Sequence, residues 1–184
     1  MTYPEILLAL PITPPLHGVN PRSIKGDTWW RKTRAAACES TEDHCIACGV
    51  HKSEAKYRKW MEAHEDYEID IPNFEYRLKR IVPLCHACHN YIHIARLNML
   101  LRKGEITVKK FQDIVRHGND LVRPIERNGA KSFDTLTDAE KTILYRPELT
   151  GSWSKWHLKF EGTDYFSPNK TYEDWQKTYQ SKGS

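Results

Sequence analysis

Two short pairs of cysteines constrain this chain more than any other feature. Cys45 and Cys48 enclose two residues, Cys85 and Cys88 repeat the spacing, and 36 residues separate the pairs. Each pair lets two thiolates grip one ion from a tight turn, and two pairs complete the tetrahedron that zinc prefers. No coordination position is left for a substrate, so the site reads as structural, its binding energy supplying folding energy to a region with a thin core. The thinness is visible in composition: hydrophobic residues are 39% of 184 and mean hydropathy is -0.70. Six Trp and nine Tyr imply that aromatics carry much of the packing. An odd total of five cysteines, four of them in close pairs, suits metal binding in a reducing compartment better than disulfides. The fifth, Cys38, reads as a small buried apolar residue.

The zinc also dictates topology. It ties residue 45 to residue 85, so the intervening segment must double back. "YRLKRIVPLC" alternates as one strand of a hairpin, while Trp60 to Glu65 reads as either helix or strand. A helix is expected from His89 to Lys103, stopped at Gly104. His89 and His93 stand four apart on it and so share a face, an arrangement that suits two ligands of one ion. The returning strand offers His64, Glu65 and Asp66 as sources of a third. The bland alternative is that His89 packs, or bonds a thiolate.

Around this centre, residues 1–25 are Pro-rich and expected to be an extended arm. "GDTWWRKTRAAACEST" is expected to be a helix opened by Asp27 or Thr28. "TVKKFQDIVRHG" reads as a helix capped by Thr107 and ended by Gly118, and "TDAEKTILY" carries a capping box of Thr137 with Glu140. Residues 118–136 read as a linker or long loop. The segment 105–184 is expected to be a mainly helical, aromatic-rich tail, and 26–104 the central α+β domain. The formal charge of +4 permits nucleic-acid binding without arguing for it. No apolar run approaches membrane-spanning length, and "EILLALPI" lacks the basic lead and cleavage site of a signal peptide. The expected location is cytoplasmic.

The order C-x2-C, "EAHE", then "LC-x2-CH-x3-H" resembles the zinc-containing branch of the HNH endonucleases, and "WW-x3-R" before the first knuckle looks like phage and bacterial members. The resemblance covers about residues 26–104. It implies a ββα-metal core pinching one divalent ion (Mg2+, Mn2+, Ni2+ or Zn2+), in addition to the structural Zn2+, and hydrolysis of phosphodiesters, in double-stranded DNA by preference. Carried over by position, His89 and His93 hold the ion from the helix. His64 and Glu65 fill two adjacent strand positions. One alignment makes His64 a ligand with Glu65 in the base position; shifted by one, His64 becomes the general base. The family's middle Asn falls on Arg80, which cannot accept a proton but can contact phosphate. Arg77, Lys79, Arg80 and Arg96 are the expected nucleic-acid contacts. No functional role is read for His17, His44, His51, His86, His117 or His157, although His44 and His86 lie where they can bond the zinc thiolates. The rival to a nuclease is a non-catalytic zinc module that binds nucleic acid or protein. Oligomeric state stays open, a dimer included.

Overall fold

The computed structural model describes residues 2–126 and 132–180. Among these it holds six α-helices and one four-stranded sheet, so the fold class is α+β. The helices are α1 Pro21–Glu39, α2 His86–Ile92, α3 Ile94–Arg102, α4 Val108–Glu126, α5 Asp138–Tyr145 and α6 Tyr172–Gln180. The strands are β1 Glu62–Asp70, β2 Glu75–Leu84, β3 His157–Phe160 and β4 Thr163–Phe166, in sheet order β1-β2-β3-β4.

Two compact units divide the chain. The first comprises residues 1–10, 32–66 and 80–134; the second comprises 11–31, 67–79 and 135–184. This division departs from boundaries after residues 25 and 104, because α4 belongs with the cysteine region rather than with the tail.

In the first unit, Trp60 to Glu65, which reads as either helix or strand, is strand from Glu62 onward. β1 and β2 are adjacent in the sheet and joined by a turn over residues 71–74, a hairpin. The core is small and includes the thiols themselves: Cys45, Cys85 and Cys88 are buried with Ile6, Leu7, Met61, Val82, Leu84, Leu97 and Ile114. Gly104 ends α3 as expected, with a positive φ of 71°. Thr107 caps α4 through its hydroxyl, which accepts from Lys110 N–H at 3.2 Å.

Gly118 does not end α4, which runs on to Glu126. The glycine serves packing instead: a Cβ there would lie 2.0 Å from Cδ2 of Tyr91. The expected linker at 118–136 is therefore helical at its start. Residues 127–131 lie outside the described residues, and Phe133–Thr135 forms a 3-10 turn.

The arm is not simply extended. Pro4–Leu8 and Pro14–Leu16 are 3-10 turns, and α1 opens at Pro21, ahead of the expected start. Asn20 explains that start, because its Oδ1 accepts from Ser23 N–H at 2.9 Å while Pro21 presets the first helical φ. The break falls at Gly26, with φ 81° inside α1, just before Asp27.

Beside the helices α4, α5 and α6, the tail carries an unexpected strand pair. β3 pairs parallel with β2, Glu75 opposite His157, and antiparallel with β4 across a turn at Glu161 and Gly162. Leu158 and Phe160 alternate inward along β3, and the fully buried Trp156 meets Phe74 and Tyr76 edge-on or tilted. The capping box of α5 forms as expected.

Candidate metal centre

The two cysteine pairs meet in the first unit. The Sγ atoms of Cys45, Cys48, Cys85 and Cys88 all lie within 4.8 Å of one another. Gly49 takes φ 77° to turn the first knuckle, Gly49 N–H donating to Cys45 O at 2.8 Å. Cys85 caps α2 and Cys88 lies in its first turn. Cys48 and Cys85 stand 3.8 Å apart. Bonds of about 2.3 Å to a tetrahedral zinc would put the sulfurs about 3.8 Å from one another. The donor set and spacing therefore fit a structural zinc. Hydrogen bonds among the four thiols push Cys45 strongly down toward thiolate and push Cys85 and Cys88 up. Cys38 stays apart on α1, its thiol raised by burial.

A residue without an expected role joins this cluster. His117, on α4, brings Nε2 to 3.3 Å of Cys88 Sγ. His44 and His86 do not serve that purpose: His44 bonds the carbonyl of Thr41, and His86 bonds Glu62. No motif spacing announces His117, because only the packing of α4 brings it to the knuckle.

The second cluster is His64, His89 and His93, whose nearest ligand nitrogens lie within 4.8 Å of one another. Ring centroids are 5.5 Å apart for His64–His89, 5.1 Å for His64–His93 and 4.7 Å for His89–His93. The helix carrying the last two is not continuous. His93 has φ -90° and ψ 48°, separating α2 from α3, yet its N–H still bonds His89 O at 3.3 Å and keeps the one-turn spacing. His64 is buried, and its Nδ1 has no hydrogen-bond partner. A buried imidazole nitrogen left without a partner is what an ion would satisfy. Burial first, then the nearby His93 and His89, hold the His64 ring down to about 3. Burial first, with His89 and Arg96 beside it, holds His93 to about 4. Both therefore keep lone pairs at neutral pH. With His89 beside them, they form a three-imidazole group of the kind that could hold a metal ion.

The carboxylate that orients this cluster is Glu62. Its Oε2 lies 2.5 Å from His89 Nδ1 and its Oε1 2.8 Å from His86 Nδ1. Burial alone would raise its carboxyl, but the bonds from His86 and His89 hold it well below the usual carboxylate range. An ionised carboxylate only accepts, so His89 donates to Glu62 through Nδ1, a bond that fixes the ring's orientation. Alternation along β1 puts Glu62, His64 and Asp66 on one face. Glu65, the expected partner of His64, projects to the other face by the same alternation. Asn90, next to His89, donates to His86 O at 2.8 Å within its own helix.

The expected nucleic-acid contacts divide. Arg80 bonds the buried Asp66 at 3.0 Å and lies 4.8 Å from the centre of the Tyr3 ring. Arg77 pairs with Glu75 and Glu68. Lys79 and Arg96 are exposed. Among the described residues no helix is long and apolar enough to cross a membrane. Comparison with family models, curated proteins and solved structures returned no match.

Proposed function

We propose that the chain is an HNH-type, metal-dependent endonuclease acting on phosphodiesters, with DNA as the first substrate to test. The observation that carries this reading is the convergence of His64, from a hairpin strand, with His89, from α2, and His93, which caps the end of α2. The same helix begins at Cys85, so one thiolate-anchored frame fixes both histidines. When bound there, a divalent ion would engage the scissile phosphate and stabilise the charge that builds on it. Glu62 holds the His89 ring by its Nδ1 proton. His64 is neutral at physiological pH, and its lone pair serves either as a third ligand or as the base that takes a proton from water. Exposed Lys79 and Arg96 supply cations for phosphate.

One observation favours the non-catalytic alternative. Arg77 and Arg80, two of the four expected phosphate contacts, are already ion-paired within the chain. Incubation of zinc-loaded protein with supercoiled plasmid and Mg2+, Mn2+, Ni2+ or Zn2+, beside His64→Ala, decides between the two. The nuclease reading expects nicked or linear product from wild type, and its loss in the variant. No product in any metal leaves the binding module.

A further inference from the structure

The five residues Lys56–Trp60 read Lys-Tyr-Arg-Lys-Trp: three cations, two aromatics and no acid. All five are exposed, while Ala55 before them and Met61 after them are fully buried, so the loop is pinned at both ends and open along its length. Trp60 is 46% exposed and Tyr57 is 37% exposed, unusual for side chains that normally carry the core of a small unit. Tyr57 also sits at φ 72°, a left-handed conformation that a bulky residue adopts only at a cost, and such strain gathers at functional loops. Cations stand against both rings. Arg58 lies 5.2 Å from the centre of Trp60, and Lys56 and Lys110 lie 5.5 and 4.9 Å from that of Tyr57.

The loop also touches Glu62 and His86, beside the histidine cluster. Arg58 bonds Glu62 at 3.1 Å, and Glu62 bonds His89. The Tyr57 ring meets His86 edge-on at 5.9 Å. Cations set among exposed aromatic faces match one class of ligand: a phosphate chain whose bases can leave their stack. A paired base inside a duplex offers no π face, whereas an unpaired one does.

We propose that Lys56–Trp60 is a gripping loop for nucleic acid that contains an unpaired segment, Trp60 and Tyr57 stacking on its bases and Lys59 meeting its phosphates, while Lys56 and Arg58 are held beside the rings by Asp113 and Glu62. The inference takes its substrate class from the proposed function, but its test measures binding, not cleavage. Fluorescence anisotropy of the zinc-loaded full chain, without added divalent ion, compares a labelled single-stranded oligonucleotide, a duplex with a single-stranded flap and a blunt duplex. Wild type should bind the first two more tightly. Trp60→Ala should weaken them about 5- to 150-fold, the range set by the loss of one base stack, and leave the blunt duplex nearly unchanged. Trp60→Phe, which keeps a π face, should restore most of the loss. Equal binding of all three ligands by wild type, binding unchanged in Trp60→Ala, or no nucleic-acid binding at all would overturn the proposal. Because nicking of plasmid is scored separately, a chain that grips unpaired DNA without cutting it refutes the nuclease reading alone.

Discussion

The two metal-ready clusters start from the same helix turn and differ in almost everything else. The cysteine cluster is closed: four like donors, three of them buried, supported by His117 and surrounded by the apolar side chains of the first unit. The histidine cluster has three donors, an unpartnered buried nitrogen and a carboxylate aligning one ring from behind. Cys88 and His89 are consecutive residues, yet one turns into the core and the other toward β1. On the proposed reading, donor number separates scaffold from worksite: four thiolates would complete a tetrahedron around zinc, and three imidazoles would leave room for water or substrate.

The largest effect expected from this contrast is on the closed side. Cys45→Ser or Cys88→Ser should abolish zinc retention and unfold the first unit, because structural zinc contributes about 10–16 kcal/mol of apparent binding energy in small modules. Zinc content and amide dispersion in an NMR spectrum check this; a folded variant with full zinc would break the comparison.

Gly118→Ala comes next. The new Cβ would fall 2.0 Å from Cδ2 and 2.3 Å from Cγ of the Tyr91 ring, so the ring or α4 must move. A loss of about 1–3 kcal/mol is expected, read from the denaturant midpoint. An unchanged midpoint would mean that the Tyr91–α4 contact is dispensable.

Glu62→Gln sharpens the open side. It should weaken the ion held by the imidazoles about 10- to 100-fold while leaving zinc content intact, as measured by calorimetry on zinc-loaded protein. Equal affinity in both proteins would show that Glu62 orients nothing.

Acid acts on the same imidazoles. With the imidazoles free of metal, His64 and His93 are held to about 3 and about 4, below the ordinary 6.5. As pH falls from 6.5 toward 4, the unfolded chain takes up protons that the folded chain refuses, so stability falls. His64→Ala should flatten that slope in urea titrations at pH 7 and pH 5.

Much of this contrast is written locally. Both knuckles, the return of the chain between them and the pairing of His89 with His93 follow from spacing alone, as do the Thr107 and Thr137 caps. Glu62 and His117 do not, since each acquires its role only when a strand or a distant helix reaches the cluster. Gly118 misleads for the same reason: locally a glycine signals a helix end, while here it admits a ring from α2. The β3–β4 hairpin hides because its strands are four residues each, too short for alternation to stand out among many aromatics.

Two sites of unlike character on one helix start require two ions that differ in how tightly they are held. Metal analysis of the chain saturated with zinc, before and after mild chelation, tests this, with His89→Ala/His93→Ala alongside. Wild type should hold two ions that fall to one, and the variant one ion throughout. A single ion in wild type before chelation, or a second ion that persists in the variant, would contradict the two-site scheme.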